Sequence, residues 1–187
     1  FFFKQKTAYE ISTRDWSSDV CSSDLIEVFK RLKQAIRVPL ASGERDRTIW
    51  GFIPYLQERC LDILQPDCGH TGGISQMRKI AALAETYMTP LAPHCTCSEL
   101  GLSASLHATL ATPLFLIHEA YLDGHLMPPG VARPSYEINK DGNALPPTAP
   151  GLGVEVDETM FEKVNADPKR QYKWPHPTYQ DGSVRDY

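Results

Sequence analysis

Residues 61–94 read LDILQPDCGHTGGISQMRKIAALAETYMTPLAPH, and the reading of this stretch decides the fold. It opens on an apolar run, residues 61–65, that stops at Pro66-Asp67. The pair Gly72-Gly73 then suits a tight turn rather than a phosphate cradle. After it Ile74, Met77, Ile80, Ala81, Ala84 and Tyr87 recur at helical spacing. A second short apolar run, residues 90–92, ends in Pro93-His94. Strand, helix, strand in this order needs a crossover helix, so the two strands run parallel.

The same unit repeats on both sides. Upstream, residues 26–36 place Ile26, Phe29, Leu32 and Ile36 on one helical face, and residues 38–41 read as a strand ending in Ser42-Gly43-Glu44. A helix over residues 48–60 is predicted from Ile49, Phe52, Ile53, Leu56 and Cys60. Downstream, a helix over residues 102–111 leads to a strand over residues 114–117 that ends in His118-Glu119. Glu44, Asp67, His94 and Glu119 follow one another at intervals of 23 (44 to 67), 27 (67 to 94) and 25 (94 to 119) residues. A repeat of this length, strand then helix, is one unit of a parallel α/β architecture.

Because crossovers share one hand, the C-terminal ends of all four strands lie on one side of the sheet. Four titratable residues at four such ends point to the catalytic face of a (β/α)8 barrel. A doubly wound open sheet, with the same residues as helix caps or loop polar groups, is the alternative, since an Asp after a strand often serves only as an N-cap. The expected fold is therefore α/β, about strands 5–8 of a TIM-type barrel, with an irregular C-terminal tail. Beyond residue 121 the chain turns rich in Pro and Gly. Residues 135–138 and 143–145 flank Asp141-Gly142 and suggest a short hairpin, while Trp174, Pro175, Pro177 and Tyr179 suggest an aromatic-packed tail.

Composition narrows the function. The chain has 187 residues, a formal net charge of −4 and 42% hydrophobic residues, which suits one soluble globular unit. No basic block invites nucleic acid, and no apolar run approaches the roughly 18–20 residues of a membrane span. The sequence has five cysteines. Cys95-Thr96-Cys97 beside His94 hints at zinc, but structural zinc favours longer Cys-to-Cys spacing, so reduced thiols in a cytoplasmic protein are the expectation.

The first 25 residues read differently from the rest. KQKTAYEI (residues 4–11) and DWSSDVCSSDL (residues 15–25) resemble one reading frame of a short-read sequencing adapter, with residues 12–14 falling where its variable index lies. That likeness implies three segments: residues 1–25 as an artefact, 26–125 as the partial barrel, and 126–187 as a hairpin and tail packed on it.

The strand-end motifs carry a second likeness. Ser42-Gly43-Glu44-Arg45, Asp62-Ile63-Leu64-Gln65-Pro66-Asp67, His70-Thr71-Gly72-Gly73-Ile74, Leu91-Ala92-Pro93-His94-Cys95 and Leu116-Ile117-His118-Glu119 occur in this order. Pro150-Gly151-Leu152-Gly153-Val154-Glu155 and Asp181-Gly182-Ser183-Val184 follow. Together they resemble the C-terminal half of the mandelate racemase group of the enolase superfamily, and most of all its galactonate-type sugar-acid dehydratases. The resemblance implies Glu44 as the third carboxylate ligand of a Mg²⁺ ion, and Asp67 and His94 as a dyad whose imidazole is a general acid or base. It also implies Glu119 across the substrate carboxylate, a small-molecule sugar acid as substrate, and a homo-oligomeric full-length protein. It departs from that family in lacking two further acidic ligands, the opposite-face base and the capping domain, so the chain alone is expected to be inactive. Each residue keeps a plainer alternative: Glu44 an ion pair with Arg45 or Arg47, Asp67 a helix cap, His94 a satisfied core histidine, Glu119 an ion-pair partner. His118 is expected to face away from the site, because neighbours on a strand point to opposite faces.

Overall fold

The computed structural model describes residues 22–120, 130–134, 136–137, 139–141, 143–145 and 147–166. Residues 1–21 of the adapter-like stretch 1–25 and the aromatic tail at 174–179 lie outside these residues, while residues 22–25 form the first part of a helix. Helix α1 (Ser22–Ala35) leads to β1 (Ala41–Ser42) and α2 (Thr48–Gln57). Then come β2 (Ile63–Leu64), α3 (Cys68–Thr71), α4 (Ile74–Thr86) and α5 (Glu99–Leu110). The C-terminal part holds β3 (Ala132–Pro134), β4 (Val154–Val156) and α6 (Glu158–Ala166).

The strands pair in chain order and in parallel. Ala41 pairs with Ile63 and Ser42 with Leu64; Leu64 then bridges to Leu91, and Leu91 to Phe115. The backbone bonds continue this order: Gln65 N donates to Ser42 O at 2.8 Å, Ala92 N to Leu64 O at 2.9 Å, and Leu116 N to Leu91 O at 2.9 Å. This is the parallel βα repeat of half a TIM-type barrel. The ladders are shorter than the apolar runs suggest, and proline is the reason. Pro39, Pro66, Pro90, Pro93 and Pro113 lie within or beside the four runs and carry no N–H to donate.

The helices bury their predicted faces on this sheet. Ile26, Phe29, Leu40, Phe52, Tyr55, Leu56, Leu64, Ile80, Ala84 and Leu91 share one core. Within it the Phe29 and Tyr55 rings meet edge to face, 5.9 Å between centroids. Such burial is worth about 1.5–3 kcal/mol per large apolar side chain.

The C-terminal part shows what periodicity hid. The antiparallel β3–β4 pair and helix α6 were not foreseen. Within the stretch expected as a hairpin, Leu145 N donates to Glu137 O and Asn139 N to Asn143 O, both at 2.8 Å. Asn139 Oδ1 closes the turn by accepting from the N–H groups of Asp141 and Asn143. Ser135, Ile138 and Gly142 of that hairpin lie outside the described residues. The region is tied to α5, where Ser103 Oγ donates to Leu152 O at 2.6 Å. Among the described residues no helix is long and apolar enough to cross a membrane.

Candidate active site

Each of the four strand ends carries its titratable residue two to four positions past the last paired residue. Glu44 follows Ser42, Asp67 follows Leu64, His94 follows Leu91 and Glu119 follows Phe115. Between Ser42 and Glu44 the chain passes through Gly43 at φ +121°, where a Cβ would stand 2.7 Å from the Phe52 ring. Only glycine fits there, so the turn that carries Glu44 depends on it.

Asp67 does two jobs with its two oxygens. Oδ1 caps α3, accepting from Gly69 N at 2.7 Å and His70 N at 3.2 Å. Oδ2 accepts from His94 Nδ1 at 2.7 Å. The helix-cap alternative and the dyad reading of Asp67 are therefore both present in one side chain. The cap orients the carboxylate, and the carboxylate fixes the imidazole with Nδ1–H toward it and Nε2 left for proton exchange. α3 was missed because four residues carry no periodicity, although an Asp before Cys-Gly-His is an N-cap signal.

Both partners are buried, Asp67 to 1% and His94 to 9% relative exposure. Burial pulls the His94 pKa down, but the Asp67 hydrogen bond and the charges of Glu119, Asp67 and Glu44 outweigh it and hold the imidazole above its ordinary value. Burial pushes Asp67 up, and the His94 bond and charge, the Gly69 N–H and the His70 charge bring it below the usual carboxylate range. The favoured state is imidazolium against carboxylate. Three of the residues picked from sequence thus act on the fourth.

Their packing differs. Glu119 is anchored through its backbone N–H, which donates to Pro93 O at 3.0 Å. Glu44 is half-buried, its Oε1 4.0 Å from Arg45 Nε, while its carbonyl accepts from the His70 ring at 2.9 Å. Cys97, overlooked as a neighbour of the dyad, puts its Sγ 3.5 Å from Asp67 Oδ1. It lies 30 residues from Asp67 in sequence, so no local pattern could reveal it. His118 faces α5 as expected: Ser105 Oγ meets its Nε2 at 2.7 Å, and its Nδ1 meets the Glu119 carbonyl. A carbonyl can only accept, so Nδ1 carries the proton and Nε2 accepts from Ser105.

Glu44 brings one hard oxygen donor. Among the described residues no group of three or more His, Cys, Asp or Glu could hold a metal ion. These residues alone do not fit a divalent cation, which takes several oxygen ligands.

Parallel βα units with an Asp–His pair and two further carboxylates at the strand ends define a class: half of a TIM-type barrel with a buried Asp–His ion pair at its mouth. The chain belongs to the enolase C-terminal domain-like family, whose model matches residues 11–160. A D-galactonate dehydratase family member from Streptomyces bingchenggensis is 37% identical over 174 residues, covering 92% of this chain and 41% of that protein. A D-galactonate dehydratase from Variovorax paradoxus is 38% identical, covering 86% of this chain and 43% of that protein. Among solved structures, a mandelate racemase/muconate lactonizing enzyme from Sulfitobacter sp. superposes with a TM-score of 0.65 at 34% identity, covering 72% of this chain and 33% of that one. The 3,6-anhydro-D-galactonate cycloisomerase from Zobellia galactanivorans gives 0.65 at 30% identity, covering 77% and 40%. The chain spans about two fifths of the length of the curated relatives it matches. The family implies a divalent metal, and these relatives bear the names of galactonate dehydratases, a mandelate racemase/muconate lactonizing enzyme and a cycloisomerase.

Proposed function

We propose that this chain is the acid–base half of a sugar-acid dehydratase of the galactonate type. The observation that supports the reading most is the Asp67–His94 pair at 2.7 Å, with Glu119 and Glu44 acting on the same imidazole. A proton α to a carboxylate is weakly acidic, so the reaction needs a base for that proton and an acid for the leaving hydroxyl. Held as imidazolium by Asp67, His94 gives its Nε2 proton to the 3-hydroxyl, which leaves as water. The α proton would pass to a base supplied from outside the described residues. The electron pair of that C–H bond forms the C2–C3 double bond as the hydroxyl leaves, and the resulting enol tautomerises to a 2-keto-3-deoxy acid. Asp67 keeps the imidazole in one tautomer throughout, and Glu119 sits across the substrate carboxylate. Glu44 would supply one oxygen ligand to a Mg²⁺ ion, the other ligands having to come from outside the described residues. The ion would stabilise the charge that develops on the substrate carboxylate. Residues 1–25 take no part, and the full-length protein is a homo-oligomer.

The test compares two samples given Mg²⁺ and galactonate. The 187-residue chain alone yields no 2-keto-3-deoxy acid; the chain co-expressed with the N-terminal three fifths of a galactonate dehydratase relative yields it. Turnover by the chain alone would refute its inactivity, and a completed protein without dehydration would refute the activity. A second reading, racemase or cycloisomerase, draws on the cycloisomerase neighbour and shares the α-proton step. Product analysis separates them, since epimerisation or ring closure retains the water that dehydration loses.

A further inference from the structure

Cys95-Thr96-Cys97 is the motif that the acid–base chemistry leaves unused, and Cys97 is the member of it that reaches the buried pair. Its Sγ lies 3.5 Å from Asp67 Oδ1 and 3.9 Å from Oδ2. A carboxylate beside a thiol favours the protonated form, so the sulfur donates and Oδ1 accepts. Oδ1 then takes three donors, the N–H groups of Gly69 and His70 and the thiol, while Oδ2 takes His94 Nδ1. Cys97 is half-buried and precedes α5, so this bond ties the loop after His94 to the strand end that carries the carboxylate.

The packing makes room for this contact. A Cβ on Gly101 would stand 2.3 Å from the Cys97 Cβ, so only glycine there lets the sulfur come so close. A Cβ on Gly69 would stand 3.2 Å from Asp67 Oδ1 and 3.3 Å from the Cys97 Sγ. Asp67 is buried to 1%, and in such surroundings each donor on its oxygens acts unscreened. A donor on Oδ1 draws the carboxylate's charge toward that oxygen and away from Oδ2. Across the 2.7 Å bond His94 therefore meets a weaker base than it would without the thiol. The other charged groups that act on the pair are Glu44 at the end of β1, His70 on α3 and Glu119 after the last strand. Glu44 and Glu119 favour imidazolium, and the thiol works against them.

We propose that Cys97 is a positioning residue of the Asp67–His94 pair, a neutral thiol that draws charge to Asp67 Oδ1 and so keeps the His94 proton transferable. An imidazolium held too tightly by its carboxylate is a poor acid, and proton transfer is most efficient when the donor's affinity lies near the working pH. Cys97 acts through Asp67 and not on His94 itself. That the pair transfers a proton to substrate rests on the dehydratase reading. The effect of the thiol on His94 does not, and it is present without substrate.

The test uses the full 187-residue chain, reduced and metal-free, with the His94 ring titrated by NMR. Cys97→Ala removes the donor, and the His94 pKa should rise by about 0.3–0.5 unit, the low end for one hydrogen bond because a thiol donates weakly. Cys97→Ser restores a donor and should bring the titration at least halfway back to wild type, which a packing role would not do. The infrared difference between the native chain and Cys97→Ser isolates the Cys97 S–H stretch. Donation to a carboxylate should place it below the stretch of N-acetylcysteine in water, and this reading stands even if Cys97→Ala fails to fold. A His94 pKa unmoved or lowered in Cys97→Ala, equal rises in both variants, or an S–H stretch at the position of the free thiol would overturn the proposal. None of these readings involves substrate, so a completed enzyme that fails to dehydrate galactonate would refute the function alone.

Discussion

His94 and His118 are buried side by side at the ends of neighbouring strands, yet the fold holds them in opposite charge states. His94 looks into the mouth of the half-barrel, toward Asp67, and is held above its ordinary pKa. His118 looks outward against α5, toward a hydroxyl and a carbonyl, and burial drives its pKa down to about 4. Their exposures are similar, 9% and 3%. Burial therefore does not decide the charge; the partner does. A carboxylate rewards imidazolium, whereas a hydroxyl and a carbonyl satisfy neutral imidazole fully. One side of the layer thus holds a charged pair and the other a neutral, fully satisfied imidazole.

Asp67→Asn should erase this contrast and give the largest effect. The buried imidazolium would lose its partner, at a cost of about 3–5 kcal/mol if it stayed charged. It would instead become neutral, so the His94 pKa, followed by NMR of the ring protons, should fall below the ordinary imidazole value. The wild-type pair also sets a pH window. Asp67, lowered, stabilises above its unfolded pKa of 3.8, and this is lost as pH falls through its folded value. His94, raised, stabilises fully below its unfolded value of 6.5, and this is lost as pH rises through its folded value. Denaturant unfolding should show the stability difference between wild type and Asp67→Asn narrowing at both edges. An unchanged His94 titration would mean that Asp67 does not govern it.

Ser105→Ala tests the neutral side. It leaves His118 Nε2 buried without its donor, which costs about 1–3 kcal/mol of stability. The His94 titration should not move, because Ser105 touches only His118 in this pair. A shift at His94 would show that the two sides are not independent.

These contrasts explain what the sequence could and could not disclose. The period of strand ends located Glu44, Asp67, His94 and Glu119 because parallel βα units must deliver strand ends to one side. Alternation along a strand told His118 from its neighbour Glu119. Prolines within or beside the apolar runs were visible, but their effect, ladders of two residues, was not drawn from them. β3 and β4 pair across about 20 residues, three residues each, and Pro134 within β3 argues against a strand on local grounds. Cys97 beside Asp67 and Tyr55 beside Asp46 are products of tertiary packing that no spacing encodes.

Asp46, only partly buried, offers a further titratable group whose shift has the opposite sign to that of Asp67. Burial raises its pKa to about 6, and the Tyr55 hydroxyl bond only partly offsets that. An acid that binds its proton more tightly when folded loses stability as pH rises from about 4 to about 6, and the loss persists above. Asp46→Asn keeps an oxygen for the Tyr55 hydroxyl and removes the charge. It should raise the thermal midpoint at pH 7 by about 2–4 °C and leave it unchanged at pH 4. No gain at pH 7 would mean that the carboxylate reaches solvent.

The smallest effect should come from Glu44→Gln in the metal-free chain, and it sharpens the comparison most. Glu44 acts on His94 only through its charge, the last of the contributions that raise that imidazole. Its own ion pair with Arg45 is long, at 4.0 Å, and largely exposed, so stability should change by no more than about 0.5 kcal/mol. The His94 pKa should fall slightly, far less than in Asp67→Asn, and His118 should not respond. If Glu44→Gln moved His94 as much as Asp67→Asn does, charge at a distance would rival the direct hydrogen bond. The mouth would then be a pooled field of carboxylates, and the partner in contact would no longer explain why His94 and His118 differ.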